Sequence, residues 1–165
     1  MGRLFILLAL AVIVKFEAGG SAEAAIAGRP DPADVRVVED CLAHASSGGT
    51  PSESCVGVLA KPCEASAATP QAKAKCVERE DAVWSVAGVH DLTRLNVVIT
   101  SDSAREALRE AQTGYERAKS GLCTFMRVSR GNSPDGLLAA SECRLAASAR
   151  QDLWLESQIE ALSKK

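Results

Sequence analysis

Histidine is almost absent from this sequence: His44 and His90 are the only two in 165 residues. Neither stands in an HExxH motif, so zinc-peptidase chemistry has no ligand set. No GxSxG elbow is present for a serine nucleophile, and no glycine-rich loop for a phosphate. No CxxC occurs, which removes a thioredoxin-type redox pair. Basic charge is not in excess either: 19 Lys and Arg face 21 Asp and Glu, for a net charge of −2. That balance does not hold nucleic acid. "NVVIT" is the single β-branched run, so strand signals are sparse, and no repeat of solenoid length appears. The two histidines therefore read as solvated helix-face residues. The acidic run "EREDAVW", with Glu78, Arg79, Glu80 and Asp81, reads as a solvated face near a helix start, where carboxylates favour the dipole. The expectation is a protein without catalytic residues, metal or cofactor.

The first 30 residues are of a different kind. Arg3 precedes an unbroken apolar run from Leu4 to Val14, and small residues follow. That order is a secretory signal peptide. A membrane-spanning helix needs about 20 apolar residues, and Lys15 and Glu17 interrupt this run well before that. Cleavage after Ala24 or Ala27 fits the small-residue rule, and a signal peptide over 1–27 is the preferred reading. No cysteine follows the run to carry a lipid, so the mature chain is expected in the periplasm or secreted, with no stable membrane anchor. Removal takes away Arg3, Lys15, Glu17 and Glu23, two charges of each sign, and the net charge stays at −2. The remainder is long enough for one domain with a real core.

All six cysteines, Cys41, Cys55, Cys63, Cys76, Cys123 and Cys143, fall in that remainder. An even count in an exported chain points to disulfides, and the wide spacings are unlike the close pairs of a zinc site. Six cysteines allow fifteen connectivities, and spacing does not choose among them. Local pairing is the economical expectation, because 41 to 55, 63 to 76 and 123 to 143 each enclose a turn between helical stretches. Each bridge of this size is worth roughly 3 kcal/mol in the chain-entropy view.

Periodicity makes the rest helical. Residues 28–34, with two prolines, read as a mobile leader to a single domain over 35–163. Val35, Val38 and Leu42 mark a first short helix ending near Ala45. "SSGGTPSE" breaks it. A second short helical piece over Ser52–Ala60 is expected to stop at Lys61-Pro62. Thr69-Pro70 is a helix start, followed by one long helix with a stripe at Trp84, Gly88, Leu92, Leu95 and Ile99. Ser103 and Glu106 are spaced as a capping box for the next helix. Its stripe is the most regular in the chain: Ala104, Leu108, Ala111, Tyr115, Ala118, Leu122 and Phe125. Ser133-Pro134 opens a last helix with Leu138, Leu145, Ala149 and Leu153 facing inward and Trp154 at the edge. The predicted fold is all-α, a disulfide-stapled bundle of three long helices with a short N-terminal helical corner.

The segments "QTGYERAKSGLC", "GNS" and "CRLAASARQDLWL" resemble the LprI-like lysozyme-inhibitor family of exported bacterial domains. Gln112, Cys123, Cys143, Ser148 and Arg150 or Gln151 match that pattern in place and type. In the N-terminal half, Cys63, Thr69, Gln71, Cys76 and Trp84 do the same, so the likeness covers about residues 55–155. Tyr115 stands where the family has Trp, Lys119 where it has Arg, and Gly131-Asn132-Ser133 where it has Gly-Gly-Ser. Lys119 does not reproduce the planar, bidentate contact of an arginine. The resemblance implies pairing of Cys63 with Cys76 and Cys123 with Cys143, leaving Cys41 with Cys55. It also implies a non-enzymatic domain that binds a protein, with a lysozyme as the partner. The alternative expectation is an envelope structural or assembly protein that binds another partner through a helical face. Of the exposed segments, "SSGGTPSE" and "SRGNSPDG" are the loops placed to carry recognition.

Overall fold

The computed structural model describes residues 29–164, in which helix α1 (Pro32–Gly48) leads through a 3₁₀ turn (Ser52–Cys55) to α2 (Ala60–Ser66). Three long helices follow: α3 (Pro70–Val98), α4 (Asp102–Val128) and α5 (Pro134–Ser163). The described residues contain no strand, and the all-α expectation of three long helices with a helical corner is met. The expected signal peptide over 1–27 lies outside the described residues. None of the described helices is long and apolar enough to cross a membrane.

Helix starts follow elementary capping. Thr69 accepts a hydrogen bond from the Ala72 N–H (3.2 Å) and Ser133 from the Gly136 N–H (3.2 Å), each with proline in the first turn. Proline has no N–H to leave unsatisfied there. Two starts differ from expectation. Asp31 caps α1, which therefore begins at Pro32 inside the expected leader, and Asp34 is buried against Arg79 in a two-pronged ion pair. That partner raises the Arg79 pKa, through its hydrogen bonds first and its charge second. Ser101 caps α4 by accepting from the Ala104 N–H, two residues ahead of the expected Ser103 box.

The Ser52–Ala60 helix is not formed. Its first residues make the 3₁₀ turn, Gly57 crosses to a φ of 95°, and α2 starts at Ala60 with Pro62 in its first turn. Pro62 is a start signal rather than a stop, because the missing N–H falls where no helical partner exists.

The disulfides are Cys41–Cys55, Cys63–Cys76 and Cys123–Cys143, with Cα separations of 5.8, 5.6 and 5.4 Å. They tie α1 to the 3₁₀ turn, α2 to α3 and α4 to α5. Three such bridges belong to an oxidising compartment. The tightest joint is the last: a Cβ on Gly136 would lie 2.6 Å from the Arg127 carbonyl oxygen, so only glycine lets α5 start this close to the end of α4.

The α3–α5 pairing is the spine. Trp84, Val77 and Val83 pack with Leu145 and Ala149, and α1 and the 3₁₀ turn cover them with Val38, Ala45 and Cys55. Farther along, Leu95, Leu108, Leu155 and Ile159 form a second cluster. Leu145, Ala149 and partly buried Leu138 and Leu153 face inward as their spacing predicts.

Glu80 corrects the reading of "EREDAVW" as a solvated face. Its side chain is fully buried and accepts hydrogen bonds from the N–H groups of Gly57 (2.6 Å), Leu59 (2.9 Å) and Ala60 (2.8 Å), and from the Trp84 indole (3.0 Å). The unpaired donors of a turn and of an incoming helix are met by one carboxylate. Glu78 bonds Ser141 and Arg144, and Arg79 bonds Asp34, so three of the run's four charged residues join elements.

The α4 stripe is the second correction. Leu108 is buried, but Leu122 is 59% and Phe125 64% exposed, and Ala111 and Ala118 also face water. The side turned to α5 carries Gln112, Tyr115, Lys119 and Cys123, one residue along the helix from the apolar series beyond Tyr115. One residue is a rotation of about 100°. Cys123 has to meet Cys143, and that bond holds α4 with its polar residues inward.

Two stability changes follow. Glu80→Ala leaves four donors unpaired and is expected to cost about 3–5 kcal/mol by urea denaturation of the oxidised protein. A loss under about 1 kcal/mol would show that water replaces the carboxylate. Asp152, on α5, is 4% exposed with no hydrogen-bond partner for Oδ1. Burial, and then the charges of Asp91 and Glu156, push its pKa up to about 7 from 3.8. The fold favours the protonated acid, so this contribution is full below about pH 4 and lost as pH rises to about 7. Asp152→Asn should flatten that window and raise stability at pH 8 by up to roughly 4 kcal/mol. An unchanged pH profile would refute it.

Candidate binding groove

α4 leaves α3 after a short connection through Ile99, Thr100 and Ser101, and it rests chiefly on α5. The three helices enclose an open groove of about 690 Å³, walled by α3 and α4 and floored by α5. From α3 it takes Trp84, Ser85, Gly88, Val89 and Leu92; from α4, Gln112, Thr113, Glu116 and Lys119; from α5, Ser148 and Gln151.

Each polar group in the groove is held by a neighbour. Gln151 donates to the Gln112 side-chain oxygen at 2.7 Å, linking α5 to α4. Ser85 donates to Ser148 at 3.3 Å, linking α3 to α5. Lys119 pairs with Glu116 at 2.9 Å and lies 6.0 Å from the centre of the Tyr115 ring. The Tyr115 hydroxyl donates to the Ala147 carbonyl at 2.7 Å, and burial raises its pKa above the ordinary 10.0. Trp84 lies below the surface with its indole committed to Glu80. The result is a surface of amides, hydroxyls and aliphatic rims, with its one lysine already paired. It suits hydrogen bonding and shape fit.

The motif residues of the sequence converge here. Trp84, Gln112, Lys119, Ser148 and Gln151 line this groove. Arg150 does not; it lines a smaller apolar hollow with Tyr115 and Trp154 on the other side of the α4–α5 seam. Thr69 is a helix cap and exposed Gln71 lies in the first turn of α3. The six cysteines of the frame pair as the resemblance implies. Neither "SSGGTPSE" nor "SRGNSPDG" contributes to the groove. His44 is exposed with its ring against the Asp40 carbonyl of its own helix, and exposed His90 lies on the opposite flank of α3.

Ser85, Val89 and Thr113 are groove residues that the sequence reading passed over. Ser85 and Val89 each follow a member of the Trp84, Gly88 and Leu92 stripe by one residue, which is the signal for the α3 pair, whereas nothing in the α4 pattern marks Thr113. Compared with family models, curated proteins and solved structures, the chain matches none of them.

Tyr115 is the only tyrosine in the chain, so its phenolate absorbance reports the α4–α5 seam beside the groove directly. The titration midpoint should lie above 10.0, moving to the ordinary value on unfolding. Tyr115→Phe should cost about 1 kcal/mol by losing the bond to Ala147. A midpoint at or below the ordinary value would place the hydroxyl in water.

Proposed function

We propose that this chain is an exported, periplasmic or secreted, protein-binding domain of the LprI-like type. Its partner is a lysozyme, which it inhibits by occluding the cleft rather than by chemistry of its own. The observation that carries this reading is the convergence of Trp84, Gln112, Lys119, Ser148 and Gln151, far apart in sequence, on one groove. Trp84, Gln112, Ser148 and Gln151 are among the positions on which the family resemblance rests, and Lys119 stands where the family has Arg. A structural role alone does not require amides and a lysine to be gathered at an open surface. The three disulfides support a life outside the reducing cytoplasm.

A second reading has its own support. Leu122, Phe125 and Val128 are all more than half exposed along α4, an apolar ridge that suits self-association in an envelope assembly.

Titration of the oxidised protein with c-, g- and i-type lysozymes tests the first reading. One class should bind, and binding should fall at least tenfold in Val89→Arg and Thr113→Arg, which place a bulky cation on the groove's exposed rims. The melting temperature should move by no more than a degree or two, because both sites are solvent-facing. No binding to any class, with a concentration-dependent dimer abolished by Phe125→Glu, would replace it with the second.

A further inference from the structure

On the flank of α3 away from the groove, α1, α3 and α5 surround a cleft of about 480 Å³. Its walls are apolar: Val35, Val38 and Leu42 from α1, with Val83, Trp84, Val86 and Ala87 from α3. Its charge is predominantly negative. Glu39 of α1, Asp91 of α3, and Asp152 and Glu156 of α5 all line it, against His90 and Arg94 of α3. Arg94 is already bonded to Asp91 at 2.9 Å, and the His90 ring nitrogen is 3.5 Å from the same oxygen. Asp152 has neither partner, and it is the most deeply placed of the four carboxylates.

We propose that this cleft binds a small organic cation, an ammonium group carried on an apolar body, with Asp152 as the carboxylate that receives the ammonium. An ammonium offers N–H donors and a full positive charge, the two things the unpartnered Asp152 oxygen lacks. Apolar walls cover the apolar body. Anions meet four carboxylates. A bare metal ion is a poor fit, because no three His, Cys, Asp or Glu side chains among the described residues are grouped to hold one. The volume is that of a small-molecule site. Because burial keeps a proton on Asp152 near neutral pH, the cation displaces that proton, and affinity rises with pH through about 7. The other ionisable groups that face Asp152 across the cleft are Glu39 from α1, His90, Asp91 and Arg94 from α3, and Glu156 from α5.

The test is an amide-NMR titration of the oxidised chain with hexylammonium, hexanol and hexanoate. Hexylammonium should give saturable shifts confined to residues 35–42, 83–94 and 152–156, with hexanol at least tenfold weaker and hexanoate without effect. Asp152→Asn should weaken hexylammonium at least tenfold and abolish the pH dependence, whereas His90→Gln keeps it. Val86→Arg, at the half-exposed mouth, supplies its own cation and should block binding without touching Asp152. Equal binding of hexanol and hexylammonium would reduce the cleft to an apolar cavity. Shifts outside these segments, or unchanged binding in Asp152→Asn, would also overturn the assignment. None of these outcomes bears on lysozyme binding at the opposite flank.

Discussion

Glu80 fills both carboxylate oxygens from the Gly57–Ala60 turn and the Trp84 indole, and the N-terminal corner depends on that exchange. The turn between the 3₁₀ segment and α2 has no strand or helix to take its N–H groups. Without an acceptor it would need water, and water has no place beside a fully buried tryptophan. One charged side chain therefore allows an apolar cover to close over the spine. The disulfides at Cys41–Cys55 and Cys63–Cys76 bracket the same turn and limit how far it can move when unfolded.

At the other end the constraint is covalent. α4 leans on one helix for most of its length, so packing alone leaves its rotation weakly determined. The Cys123–Cys143 bond and the glycine contact at Gly136 decide it. Two surfaces result from one rotation: a polar groove toward α3, and an apolar ridge at Leu122 and Phe125 facing out. The groove and the ridge thus compete as explanations of what this protein meets, for a single structural reason.

Most of the fold was legible. The caps at Thr69 and Ser133, the inward series on α5 and the helix lengths follow from local chemistry that a sequence carries on its face. The misreadings share a cause. "EREDAVW" looks solvated because charge usually is, and nothing local says that a turn more than twenty residues earlier lacks acceptors. The α4 stripe looks like a core because its periodicity is regular, yet periodicity specifies a face without naming its neighbour. The groove was half legible: Gln112, Ser148 and Gln151 stood out as motif residues, while Ser85 and Val89 did not, since an open wall needs no consistent polarity.

The sequence by itself determined the helices, their starts and the cysteine frame, because these depend on residues within a few positions or on an even count of thiols. The tertiary structure alone decided which charged residue would be buried, which way α4 would turn, and that Asp152 would lie without a partner beside Asp91. Burial and electrostatics are set by what lies across the interface, and that neighbour is supplied by the fold.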